Sequence, residues 1–248
     1  MNIVGPDALI FGVDDVEACK QFLLDYGLDD AGNGRFEALD GTAVIIAGRD
    51  DPSLPPALET GSMLRKTVYG VADQQTLDAI AEELGKDREI SELDDGSLET
   101  VDDLGFVLGF QVTVRKKLSL PAVKTNLPGS PDQRPTNDVA VSTEAQPKPV
   151  SLSHVVYFVP DSTKGEAFYT ERLGFVTTDR FTNVGPFMRP AGTQDHHTMF
   201  MIQTPPHMQG CEHFTFHMTG PSDVMQAGTN MVNKGYQSFW GPGRHIFG

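Results

Sequence analysis

Two short apolar runs, each closed by an aspartate, stand 147 residues apart in this chain: residues 7–14 read DALIFGVD and residues 154–161 read HVVYFVPD. Runs of this length, rich in β-branched and aromatic side chains, predict buried strands. An amphipathic stretch of about three turns follows each, ending at Gly27 in the first copy and Gly174 in the second. That is the pattern of a helix with an aspartate at its start and a left-handed residue at its end. Without a gap, the same shift sets Phe11 against Phe158, Asp14 against Asp161 and Phe22 against Tyr169.

A second pair of runs extends the repeat. Residues 66–71 (KTVYGV) predict a strand leading to a helix over 74–84, and residues 213–218 (HFTFHM) a strand leading to a helix over 222–233. The expected fold is therefore α+β: tandem βαβββ modules forming two domains, each a curled open-barrel mixed sheet with helices outside. The domains are expected at 1–115 and 151–248. A Pro-rich linker over 116–150, with little periodicity, joins them.

Composition divides the two halves further. Residues 1–150 carry 27 acidic and 13 basic side chains, residues 151–248 only 7 and 6. The acidity belongs to the first half, and no basic patch exists to neutralise phosphates, so a nucleic-acid partner is not expected. All seven histidines, by contrast, lie at or beyond position 154. Imidazole is the commonest ligand for transition metals and carries protons near neutral pH, which places the chemistry in the second half. Nothing in the sequence is apolar for long enough to span a membrane, and the N-terminus shows no secretory pattern. The two cysteines, Cys19 and Cys211, sit in different halves. A reduced, cytoplasmic setting is expected.

Strand alternation puts His154, Val156 and Phe158 on one face and His213, Thr215 and His217 on another. His154 and His213 open the two repeat-related strands, which makes them the expected pair around a divalent ion. On the same segments the sequence resembles the vicinal oxygen chelate superfamily (glyoxalase, bleomycin resistance and dioxygenase proteins), and within it the type I extradiol ring-cleaving dioxygenases. The resemblance is carried by Leu152-Ser153-His154, Phe168-Tyr169 with Leu173-Gly174-Phe175, Asp195-His196-His197-Thr198, Glu212-His213-Phe214 and Gly243-Arg244-His245. It implies Fe(II), alternatively Mn(II), held by His154 and His213, with His196 and His245 acting on substrate and oxygen. Two imidazoles and a carboxylate on one side of the ion leave positions open for a catecholate and O₂. His196 and His197 are adjacent, so on a strand only one could face the metal; the family pattern selects His196 and leaves His197 on the substrate side or in support. Phe187 and Trp240 are candidate pocket walls.

Two departures from the pattern matter. Asp7, Lys66 and Gly109 stand in the first half where two histidines and a glutamate would be expected, so that half is expected to be metal-free. In the second half the glutamate ligand and its closing strand are expected beyond Gly248. The function implied is an extradiol dioxygenase acting on a small catecholic substrate and O₂, in a homo-oligomer. The alternatives are a non-redox glyoxalase-like lyase or isomerase and a metal-free small-molecule-binding resistance protein.

Overall fold

The computed structural model describes residues 1–139 and 141–243. Along the chain run β1 (Ile3–Val13), α1 (Val16–Tyr26), β2 (Asp29–Gly32), β3 (Arg35–Glu37), β4 (Ala43–Gly48), β5 (Leu64–Val71), α2 (Gln74–Leu84), β6 (Ser91–Glu92), β7 (Leu98–Val101) and β8 (Val107–Val112). After a long irregular segment come β9 (Ser151–Val159), α3 (Ser162–Ala167), β10 (Phe175–Phe181), β11 (Gly185–Pro190), β12 (Met199–Gln203), β13 (Gly210–His217) and α4 (Pro221–Asn233).

The helices start where aspartates can cap them. Asp15 accepts from the Ala18 amide, Asp73 from Thr76 and Asp161 from Lys164, at 2.8–2.9 Å, each satisfying an amide that the first turn leaves unpaired. Gly27 and Gly174 both take the left-handed conformation, with φ of 109° and 72°. The second copy nevertheless departs from the regular helix expected of it. α3 lasts six residues and passes into a π-helical turn over Phe168–Arg172. The wider turn buries the consecutive Phe168 and Tyr169 together, which ordinary helical spacing would splay apart.

The first sheet has eight strands in the order β2-β3-β4-β1-β5-β8-β7-β6, the second five in the order β10-β11-β12-β9-β13. β4 runs parallel to β1 and β12 parallel to β9, while β5 and β13 run antiparallel to the same partners. The five-stranded order thus repeats strand for strand. Both sheets are mixed, and neither closes or curls strongly. β2 and β6 lie at opposite edges, and closure would require edge strands to pair with the stagger of a barrel. The stretch around Gly109 forms the hairpin of β7 and β8. Asp102 makes its turn by accepting from the amides of Leu104 and Phe106, and Gly105 supplies a φ of 92°.

One apolar core runs through both halves. Tyr69 stacks edge-on against Phe175, Phe106 lies 4.8 Å from Tyr157, and the Thr67 and Tyr157 hydroxyls bond at 2.6 Å. Arg172 adds a charged clasp to Glu83 and Asp87 of α2 and its following turn. Among the described residues no helix is long and apolar enough to cross a membrane.

Candidate metal centre

β9 and β13 are antiparallel neighbours, and their register sets Thr215 opposite His154 and His213 opposite Val156. The two imidazoles lean toward each other across this offset, bringing their Nε2 atoms to 3.2 Å. Metal–nitrogen bonds of about 2.1 Å diverging by roughly 90–110° separate their nitrogens by about 3.0–3.4 Å. The pair therefore fits a shared ion as two of its ligands.

A carboxylate completes the support of one of them. His213 Nδ1 donates to the Glu212 carboxylate, which leaves Nε2 with its lone pair free for a metal, the arrangement that fixes ligand imidazoles in metal sites generally. Sequence reasoning gave Glu212 no role, because strict alternation turns adjacent strand residues to opposite faces. A register shift between Cys211 and His213 brings both to one side, as a bulge does. Burial and the Glu212 charge push the neighbouring Cys211 thiol up to about 12, so it stays protonated.

His196 and His197 fall in a bend just before β12 rather than on a strand. The alternation that was expected to turn one of them away does not apply there. Their Nδ1 atoms lie 3.1 Å apart, one donating and the other accepting. The His197 ring sits 4.6 Å from that of His154, while His196 lies farther out, its Nε2 4.0 Å from the Asp179 carboxylate. Phe187 stands against His197 at 4.9 Å and stacks on Phe200 at 4.0 Å, beside this cluster. Trp240 lines a different hollow with Phe22, Tyr26 and Tyr236, whose walls among the described residues include no histidine. His245 and the arginine before it lie outside the described residues. His217, singled out only for its spacing, is held by the hydroxyls of Ser151 and Ser153 at 3.0 Å each, with Asp195 at 3.6 Å.

Among the described residues no three histidine, cysteine or carboxylate side chains converge as a complete metal set. The corresponding positions of the first half do other work. The Lys66 ammonium pairs with Glu99 at 2.7 Å. A Cβ at Gly109 would meet Val68 at 3.1 Å, leaving little room for a longer side chain. Asp7 falls at a register shift between Pro6 and Ala8 and is fully buried. It accepts from Gln111, Thr113, the Val114 amide and Arg115.

Residues 151–248 match the model of the Glyoxalase/Bleomycin resistance protein/Dioxygenase superfamily. That match covers the C-terminal module alone. Metapyrocatechase 2 of Cupriavidus necator is 31% identical over 100 residues, covering 40% of this chain and 31% of that protein; the match spans less than a third of the relative's length. Among solved structures, the Mn(II)-bound glyoxalase of Novosphingobium aromaticivorans covers the whole chain and superposes with a TM-score of 0.72 at 20% identity, over 76% of its own length. The 2,3-dioxygenase LapB of Pseudomonas sp. KL28 gives 0.70 at 18%, over 100% of this chain and 86% of its own. At these identities the superpositions establish a shared fold across both halves.

Proposed function

We propose that the chain is an extradiol dioxygenase that inserts O₂ into a catechol ring beside its hydroxyls, with Fe(II), alternatively Mn(II), held by His154 and His213. The observation that carries this reading is the facing Nε2 pair with Glu212 behind His213. Metapyrocatechase 2 of Cupriavidus necator, 31% identical over 100 residues, supports it. When bound, the ion supplies a Lewis-acid and redox centre at which catechol and O₂ can meet.

The surrounding side chains have separable tasks. His197, nearest the pair, is positioned to take a proton from a substrate hydroxyl. His196, one hydrogen bond farther out and facing Asp179, passes it toward solvent. The Phe187–Phe200 stack supplies a flat apolar wall beside His197, suited to an aromatic ring. We assign no metal to residues 1–115, take 116–150 as the linker and 151–248 as the metal-binding domain. Two free cysteines accord with a cytoplasmic setting.

The test is metal analysis of the full-length protein after anaerobic Fe(II) or Mn(II) loading, together with oxygen uptake on a panel of catechols. Stoichiometric oxygen consumption with a yellow ring-fission product is expected. Absence of uptake by metal-loaded protein with every catechol overturns the reading in favour of a non-redox glyoxalase-like lyase or isomerase. Binding of small molecules without any metal would instead favour a resistance-type protein.

A further inference from the structure

We propose that the first module positions the ligand strand of the second, through the Thr42 hydroxyl and the Arg115 guanidinium acting on the backbone of Leu152. The inference rests on reading His154 as a metal ligand, two residues farther along β9. Leu152 is fully buried, so its amide and carbonyl require protein partners. β12 pairs with β9 only from Val155 onward and does not reach it. The first module does. The Leu152 amide donates to Thr42 Oγ1 at 2.7 Å, and its carbonyl accepts from Arg115 Nη2 at 3.1 Å.

Both partners are themselves fixed. Thr42 is fully buried, and its single hydroxyl proton goes to Asp40 Oδ1 at 2.7 Å. Its oxygen is thereby left as the acceptor that the Leu152 amide needs. Arg115 also donates to the Pro6 carbonyl at 2.8 Å and is flanked by the carboxylates of Asp7 and Asp40 at 3.4 and 3.7 Å. The same turn of the first module binds the approach to β9, the amides of Leu39 and Asp40 donating to the carbonyls of Pro149 and Val150 at 3.0 Å.

Leu152 and His154 are neighbours on one side of an extended strand, about 7 Å apart. A shift of the first is transmitted to the second with little damping. Asp7 occupies, by the 147-residue repeat, the place of His154 in the first module. A position that carries no imidazole there carries the carboxylate that steadies the arginine, which in turn steadies the strand of the ligand histidine.

The experiment compares wild type with Thr42→Val, Thr42→Ser and, as a distant interface control, Arg172→Gln. Co(II) affinity and the visible Co(II) spectrum are read on the full chain. The ¹⁵N shifts of the His154 and His213 rings are read on metal-free protein. Thr42→Val should weaken Co(II) binding about tenfold, the scale of losses when outer supports of ligands are removed, and should move both ring signals. Thr42→Ser should restore both readouts to within about twofold, since it keeps the hydroxyl. Arg172→Gln should leave them unchanged although it releases the Glu83–Asp87 clasp. If Thr42→Val does not fold, Arg115→Gln interrogates the same residue from its carbonyl side. Unchanged affinity and ring shifts in Thr42→Val, or an equal loss in Arg172→Gln, overturn the proposal. Absence of Co(II) uptake by wild type, with ring shifts still moved by Thr42→Val, overturns the metal reading and leaves the positioning role standing.

Discussion

Strands β1 to β5 and β9 to β13 are two renderings of one plan, and among the described residues they differ in how the helix after the fifth strand is covered. In the first module β8 pairs in parallel with β5, and α2 buries Thr76, Leu77, Ile80 and Leu84 against that sheet. In the second, β13 is the last strand of its sheet among the described residues, and α4 buries none of its side chains. Among the described residues the same fold element is buried in one half and exposed in the other. Chemistry runs the opposite way. The first module has a lysine–glutamate pair and a buried aspartate at the repeat positions, whereas the second gathers imidazoles.

The widest expected contrast is in metal binding. His213→Ala should weaken Co(II) or Fe(II) binding by at least about 100-fold, since removing a direct ligand exceeds the loss from its supports. Placing histidines at both Asp7 and Lys66 should not create a second site, because the register shift at Pro6–Ala8 leaves position 7 among Gln111, Thr113 and Arg115. Equilibrium dialysis of the double variant that found a second bound ion would break the comparison.

Packing comes next. Leu77→Ala in α2 should cost about 2–5 kcal/mol, and Val224→Ala in α4 less than about 0.5 kcal/mol. Urea midpoints of the two variants measure the difference directly.

The seam between the modules carries a pH dependence of its own. Burial pushes the Asp102 carboxyl up to about 6, against the hydrogen bonds from Phe106, Leu104 and Tyr169 that pull it down. With a native value above that of the unfolded chain, the folded protein binds the extra proton between about pH 4 and 6. This contribution to stability is complete below pH 4 and disappears as pH rises through 6, by about 2–3 kcal/mol in all. Denaturant titrations across that range should show the fall, and Asp102→Asn should flatten it. A smaller effect belongs to Lys66→Met. It strands Glu99, but the carboxylate is partly exposed, and a loss of about 1 kcal/mol is expected from the same titrations.

Much of this was legible in the sequence for physical reasons that act locally. The aspartate caps, the glycine ends and the apolar runs are short-range signals, and the repeat doubled each of them. The pairing of His154 with His213 was legible too, because repeat-related strands occupy related places. What local pattern could not show was anything made by a break in regularity. The shift that turns Glu212 beside His213, the bend that lets His196 and His197 touch, and the π turn that buries Phe168 with Tyr169 all violate the periods on which sequence reasoning depends.

By itself, then, the sequence determined a repeated α+β pattern of strands and helices and a second half rich in imidazole. Only the tertiary structure decided that the sheets stay open around one shared core, that Glu212 supports His213, and that Thr42 and Arg115 of the first module hold Leu152 of the second. Those are contacts between residues as far as 110 positions apart. Their geometry is set by packing two sheets together, and neither strand encodes it alone.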